Sequence, residues 1–261
     1  VTREYYFNNA GKQMDNLAES IYARYIKKIS NENYQFPENG YHGEYIKDIA
    51  DELVEYKKEA LTEDTKENKE YIKKYGEKWC FDKITKTLKR MDINQDVYFN
   101  ETTLYEKGMV DEVISCFKEK DLAYEKDGAI WLKLSEVGLD DDRVIVKSTG
   151  EPTYRLPDIA YHKDKYERGF DVIVDVFGSD HIATVPDVQA AVKNLGYDLS
   201  KMKVVIHQFI TLTENGEQVK MSKRTGRSYT LDDLLDEVGV DVAKFFFIMR
   251  RLQMGVYQVE Y

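Results

Sequence analysis

The stretch that most restricts how this chain can fold is Asp171 to Phe177, DVIVDVF, which ends at Gly178-Ser179-Asp180-His181. A short, nearly continuous apolar run of this kind is what a parallel strand covered on both faces requires. Val188, Ala191, Val192 and Leu195 then recur at helical spacing, and Gly196 stops that helix. Lys203 to Ile210, KVVIHQFI, reads as a second buried strand. Strand, helix and strand in this order predict an α/β fold with a parallel sheet. Asn215-Gly216 between β-prone runs predicts a hairpin. Thr230 with Asp233 predicts an N-cap and a capping-box start for a helix over Leu231 to Val238. Gly239 ends it, and Asp241 is placed to cap a last helix, Val242 to Arg251.

The N-terminal part has the same grammar. Val1 to Phe7 alternates as a strand, Asn8-Asn9-Ala10-Gly11 breaks it, and Met14, Leu17, Ile21, Tyr25 and Ile29 mark a helix. Pro37 and Gly40 suggest a boundary. Residues 44–91 are helical and lysine-rich, with apolar stripes at Ile46, Ile49, Ala50 and Leu53 and at Ile84, Leu88 and Met91. Short β-like pieces follow at Val97 to Phe99, Ala129 to Leu134 and Val144 to Lys147, with a helix predicted over Tyr105 to Glu119. This middle section reads as an insertion with a small core of its own.

The 261 residues suffice for one large or two modest domains. A content of 42% hydrophobic and 33% charged residues is that of a soluble globular chain. No apolar run reaches membrane-spanning length, and the polar N-terminus lacks signal-peptide layout. Cys80 and Cys116 are far apart and outside any metal-ligand spacing, which favours free thiols in a reducing cytosol and no metal site. A net charge of −10 argues against a general nucleic-acid coat but leaves room for a local basic patch.

Three places can carry chemistry. At the carboxyl end of the strand 171–177, Gly178 permits close backbone approach, Asp180 can accept from ribose hydroxyls or an ammonium, and His181 can donate or accept. The same residues also suit a plain turn with Asp180 capping the next helix. In Thr153-Tyr154-Arg155-Leu156-Pro157-Asp158, one helical turn would set Tyr154 and Asp158 on one face, where a phenol and a carboxylate can hold a guanidinium. Alternatively Tyr154 is a core residue and Asp158 a cap. In QVKMSKRTG, Lys220, Lys223 and Arg224 beside Gly226 can neutralise a polyphosphate, each contributing about 3 kcal/mol if aimed at transition-state charge. A basic run this short can equally be a solvated loop.

Taken in order, Gly178-x-Asp180-His181, a helix, a strand with His207-Gln208-Phe209, a hairpin and Lys-Met-Ser-Lys-Arg resemble the second half of the catalytic domain of class I aminoacyl-tRNA synthetases. Tyr6-Phe7-Asn8-Asn9-Ala10-Gly11-Lys12-Gln13, Leu104-Tyr105-Glu106-Lys107-Gly108, Asp127 to Leu132, Asp142-Arg143-Val144 and Gly150 to Tyr154 resemble the arginyl-tRNA synthetases. So does Tyr154-x-x-x-Asp158-Ile159-Ala160-Tyr161-His162, and the match runs to about Arg250. The resemblance implies a Rossmann-like parallel sheet core split by an α+β insertion, with C-terminal helices. Residues 1–35 would be its incomplete first half, 36–150 the insertion, 151–229 the second half with a KMSKS-type loop, and 230–261 the start of a helical region.

It further implies ATP-dependent formation of arginyl-adenylate, with Mg²⁺ accompanying ATP, and transfer of L-arginine to tRNA(Arg). By position, Tyr154 and Asp158 would bind the arginine side chain. Asp180 and His181 would line the α-amino or adenosine-ribose region. Gly178, His207 and Phe209 would border ATP, with Phe209 near adenine. Lys220, Met221, Ser222, Lys223 and Arg224 would face the phosphates, Lys220, Lys223 and Arg224 as the catalytic charges. Asn9, Gly11 and Gln13 would support the site.

The His-x-Gly-His signature of class I enzymes is absent, because His42, His162, His181 and His207 do not have that spacing. The anticodon-binding domain expected after the last helices is absent too. We therefore expect an internal piece of a longer, cytoplasmic, monomeric ligase, inactive by itself. A non-catalytic, synthetase-derived nucleic-acid-binding or regulatory module is the alternative. A different ATP-using nucleotidyltransferase is a third reading, disfavoured by the Tyr154/Asp158 pair.

Overall fold

The computed structural model describes residues 1–30, 34–208, 213–214, 217–218, 230–254 and 257–258. The elements begin with β1 (Glu4–Phe7), α1 (Lys12–Ile29), α2 (Glu44–Lys57), α3 (Lys66–Arg90) and β2 (Val97–Asn100). Next come α4 (Thr102–Glu106), α5 (Met109–Glu119), β3 (Ala123–Lys126), β4 (Ala129–Leu132), β5 (Arg143–Val146), α6 (Arg155–Glu167) and β6 (Ile173–Gly178). The chain continues through α7 (Val185–Leu195), β7 (Met202–His207), β8 (Thr213–Glu214), β9 (Glu217–Gln218), α8 (Leu231–Val238), α9 (Val240–Met254) and β10 (Tyr257–Gln258). It divides into two compact units: residues 1–99 with 211–247, and residues 100–210 with 248–261.

In the first unit, β1 pairs with β2. Gly11 precedes α1 at φ 83°, a conformation that L side chains rarely adopt. The predicted stripe of α1 is buried at Met14, Leu17, Ile21 and Tyr25 and half-buried at Ile29, and it meets Ile46, Ile49, Ala50 and Leu53 of α2, with Leu61 and with Ile72 of α3. The small core expected for the middle section alone is thus corrected. The apolar face of α2 is closed by α1 with Ile72 of α3, whereas in the second predicted stripe Ile84 and Leu88 are half-buried and Met91 packs with Leu235 and Ala243. Gly76 allows the close approach of α3, because a Cβ there would collide with Ile21 Cδ1. Tyr22 donates to the Thr62 carbonyl at 2.8 Å, and Tyr25 donates to that of Lys58, tying α1 to the connection after α2.

Strands β8 and β9 pair antiparallel around positions 215 and 216, as a hairpin requires. At α8 the capping box is complete: Asp233 N–H donates to Thr230 Oγ1 at 3.1 Å, and Thr230 N–H donates to Asp233 Oδ2 at 2.7 Å. Asp232 receives Thr87 and Arg90 of α3, and Asp236 receives Arg90 at 2.5 Å. Asp241 lies inside the first turn of α9, because Gly239 at φ 82° already separates the helices and α9 starts one residue later.

In the second unit, the helix expected over 105–119 is two helices, broken where Gly108 takes φ 68° and ψ 16°. Strands β3, β4 and β5 form an antiparallel sheet. Asp127 and Gly128, both at positive φ, make the two-residue turn between β3 and β4. Strands β6 and β7 are parallel, in register from Ile173↔Met202 to Gly178↔His207, and β10 joins β7 antiparallel.

One expectation about β6 is corrected. The strand buries one face, not two: Ile173 and Asp175 are buried, while Val174 and Val176 are 56% and 62% exposed. The covered face carries Met202, Val204 and Ile206 of β7 and packs against Val185 of α7 and Tyr166 of α6. Among the described residues no helix is long and apolar enough to cross a membrane.

Candidate active site

Helix α6 opens the site. Thr153 closes against β5, its N–H donating to the Ile145 carbonyl at 2.8 Å, and Tyr154 is the N-cap residue. Pro157 falls in the first turn, where its missing N–H costs nothing. Tyr154 and Asp158 are therefore one turn apart, the arrangement the spacing required. Tyr154 is 89% exposed, and the Asp158 side chain is a quarter exposed. Arg155 Nε donates to Asp187 Oδ2 at 2.7 Å, and Arg143 Nε donates to the same oxygen at 3.2 Å. A buried carboxylate in the first turn of α7 thereby ties β5 and the start of α6 together.

Beneath Asp158 lies a buried polar chain. His162 Nδ1 is 2.8 Å from the Asp158 carbonyl and 3.1 Å from Asp158 Oδ1. Its Nε2 is 3.2 Å from Asp175 Oδ2, and the other Asp175 oxygen accepts from Lys165. Burial is the largest influence on the His162 ring and pushes its pKa down, as does Lys165. Asp158 and Asp175 outweigh them and lift it to about 9. At Asp175 burial again pushes up first, but the His162 hydrogen bond and the charge of Lys165 hold the carboxyl well below the usual range.

His162 and Lys165 of α6 both reach Asp175 of β6, three residues before the carboxyl end of that strand. Gly178 and His207 pair across β6 and β7 there. Ser179 to His181 form a single 3₁₀ turn directly after, which presents Asp180 and His181. A Cβ on Gly178 would stand 2.5 Å from Asp180 Oδ1, so the missing side chain lets Asp180 fold back over the strand end. His181 stacks on Phe177 at 4.8 Å and 14°. Gly178, Asp180, His181 and His207 thus gather at the carboxyl ends of parallel strands, where open α/β sheets bind ligands.

In the first unit, Gln13 Nε2 donates to Asn8 Oδ1 at 2.6 Å and to its carbonyl at 3.0 Å, closing the turn before α1. Asn9 is buried and donates to Glu77 Oε1 at 2.5 Å. Gly11 supplies the positive φ of that turn. Phe209, Lys220, Met221, Ser222, Lys223 and Arg224 lie outside the described residues.

Sequence reasoning passed over Asp175, Lys165 and the ring of His162. Asp158 and His162 are four apart, which alone puts them on one helix face. Asp175 carries no such signal, because an Asp inside a valine run reads as the solvent side of a strand.

Comparison with known proteins places these residues in a family. The model for the catalytic domain of class I (R) tRNA synthetases matches residues 1–260. The arginine–tRNA ligase of Desulfotalea psychrophila is 53% identical over 251 residues, which is 96% of this chain and 45% of that protein. The Bacillus licheniformis arginine–tRNA ligase is 44% identical over the same shares. A Campylobacter jejuni structure described as an arginyl-tRNA synthetase superposes with a TM-score of 0.82 at 33% identity, covering 92% of this chain and 52% of its own. Thermus thermophilus arginyl-tRNA synthetase, at 16% identity, shares the fold, with a TM-score of 0.58 over 91% of this chain and 45% of its own. The chain thus spans about half the length of the curated relatives it matches, and it belongs to the class I (R) tRNA synthetase catalytic-domain family.

Proposed function

We propose that the chain carries part of the active site of an arginine–tRNA ligase. In this reading the arginine carboxylate attacks the α-phosphorus of ATP, the bond to pyrophosphate breaks, and arginyl-adenylate forms. The terminal ribose hydroxyl of tRNA(Arg) then attacks the adenylate carbonyl and releases AMP. ATP enters as its Mg²⁺ complex, as a substrate.

Tyr154 and Asp158 hold the guanidinium, whose planar fork suits a carboxylate with a neighbouring phenol. Asp180 and His181 receive the α-amino group or the ribose hydroxyls. Gly178 and His207 let the adenosine approach the ends of β6 and β7, with Phe209 near adenine. Lys220, Lys223 and Arg224, with Met221 and Ser222 in the same loop, meet the phosphates and the charge that develops on pyrophosphate. Asn9, Gly11 and Gln13 shape the turn that supports the site. No side chain need move a proton: orientation and charge stabilisation suffice for adenylate formation. The free thiols of Cys80 and Cys116 suit a cytoplasmic protein, and burial pushes Cys80 up to about 11. We read the protein as acting as a monomer.

The observation that supports this reading most is the gathering of Gly178, Asp180, His181 and His207 beyond β6 and β7, with Tyr154 and Asp158 opening α6 in the same unit. The test is Asp158→Asn in a protein of the relatives' full length that carries this chain. The arginine KM in ATP–pyrophosphate exchange, assayed with tRNA, should rise about 10- to 100-fold, the worth of a charged hydrogen bond. The ATP KM should stay within about twofold. Equal losses for both substrates refute the guanidinium assignment.

A further inference from the structure

His162 is fully buried and faces acceptors at both ring nitrogens. Nδ1 meets a carbonyl and a carboxylate oxygen of Asp158, and neither can donate. Nε2 meets Asp175 Oδ2, while Lys165 occupies the other oxygen of that carboxylate and holds it ionised. A neutral imidazole has one N–H and one lone pair, so either tautomer would set a lone pair against an acceptor in a site closed to water. Only the doubly protonated ring satisfies both ends. The charges close as well: Asp158 and Asp175 are balanced by His162 and Lys165, all of them on α6 and on the β6 face packed against it. Tyr161, the preceding residue on α6, lies edge-on to the ring at 6.2 Å and adds no charge.

We propose that His162 is a positioning residue, a buried imidazolium that fixes the Asp158 carboxylate for the guanidinium of arginine. The inference rests on the reading of Asp158 given above and deepens it. One Asp158 carboxylate oxygen, at 3.1 Å, shares the Nδ1–H from inside with the Asp158 carbonyl at 2.8 Å, and the carboxylate stays a quarter exposed. A planar two-pronged cation gains from a carboxylate that cannot swing, because bidentate geometry is lost on small rotations. Asp175 and Lys165 act one step further back. Asp175, itself held by Lys165 of α6, grips the imidazolium from β6, so the binding carboxylate is braced by the strand whose carboxyl end leads into Asp180.

The test uses two substitutions that each keep half of the ring's function, in a protein of the relatives' full length. In His162→Asn the amide nitrogen stands near the Nδ1 position and can still donate to Asp158. In His162→Gln it reaches toward Nε2 and serves Asp175 instead. Positioning predicts that Gln raises the arginine KM about tenfold or more while Asn raises it clearly less, with the ATP KM within about twofold in both. A merely structural role predicts the same loss for both variants and for both substrates, and that result overturns the proposal.

The unmodified protein provides a second measurement that needs no variant to fold. With ¹⁵N-labelled histidine, NMR should find both ring nitrogens of His162 protonated at pH 7.5, and a neutral ring there overturns the proposal. If Asp158→Asn spares arginine, the guanidinium reading falls and the proposal with it. A neutral ring, or equal losses beside a selective Asp158→Asn defect, overturns the role of His162 alone.

Discussion

At the scale of single residues, Gly178 is the clearest case of a small side chain doing a positional job. Its backbone is extended, at φ −72°, so left-handed freedom is not the reason for glycine. The reason is space, since a Cβ would meet Asp180 Oδ1 at 2.5 Å. That atom is the end of an exposed, movable side chain, so Gly178→Ala displaces Asp180 without opening the core. Exchange activity should fall tenfold or more, about 1.4 kcal/mol of transition-state binding, while the thermal midpoint shifts by no more than about 3 °C. An equally large loss of stability would show that Gly178 serves the fold instead.

The residue scale is also where the sequence was least legible. Tyr154, Asp158, Gly178 and Asp180 could be picked out because each sits at a turn or helix start with its own local signature. Asp175 could not, because its partners His162 and Lys165 come from another element and the run DVIVDVF conceals which of its residues face inward. The alternation that buries Asp175 and exposes Val174 and Val176 follows from which face α6 and α7 cover.

At the scale of elements, local rules did most of the work. The bounds of α8 follow from Thr230, Asp233 and Gly239, and the end of α7 from Gly196, because caps and left-handed C-termini are decided within a few residues. The same kind of signal marks β3, where Asp127-Gly128 announces a two-residue hairpin, although the reading by periodicity did not take Ala123 to Lys126 as a strand. Periodicity alone also ran α4 and α5 together, because Leu104, Val110 and Val113 keep an apolar side across the break at Gly108.

Packing between helices is where propensity and structure part. Gly76 sits inside α3, where alanine would be the better helix former by about 1 kcal/mol. Its added methyl would meet Ile21 Cδ1, and Ile21 is fully buried among α1, α2 and α3, so the overpacking cost of about 1–3 kcal/mol should win. Gly76→Ala is expected to lower the denaturant midpoint. Combining it with Ile21→Val, which deletes the clashing methyl, should recover stability relative to Ile21→Val alone. If Gly76→Ala stabilises by itself, α1 and α3 are not in the close contact described.

At the scale of the molecule, the buried charges set how stability depends on pH. The pKa of His162 is raised from 6.5 to about 9 in the folded chain. Its contribution is fully present below about 6.5, where the unfolded form is also protonated, and is lost as pH rises through about 9. Asp175 is depressed below 3.8, so its contribution is present above that value and is lost as pH falls through the folded pKa. Stability from this cluster should therefore be greatest between about pH 4 and 6.5 and decline on both sides. The difference in unfolding free energy between the unmodified protein and His162→Gln should shrink from pH 6.5 to 9.5. A difference that stays constant over that range would mean the ring is neutral in the folded state.

The family was legible at this scale because its motifs follow one another in order along nearly the whole chain. The α/β class was legible for a physical reason: strand, helix and strand in close succession leave little choice but a parallel pair. What sequence could not supply was the partition of the core. Whether α2 and α3 pack on each other or on α1 depends on the fit of three apolar stripes, which no single stripe encodes.

The central claim is that Asp158 holds the arginine side chain while the ends of β6 and β7 hold the adenosine. A crystal structure with a non-hydrolysable arginyl-adenylate analogue, in a protein of the relatives' full length, tests it most directly. The guanidinium is predicted on the Asp158 carboxylate beside Tyr154, and the ribose against Gly178 and Asp180. A guanidinium bound elsewhere, with Asp158 still paired only to His162, would contradict the account.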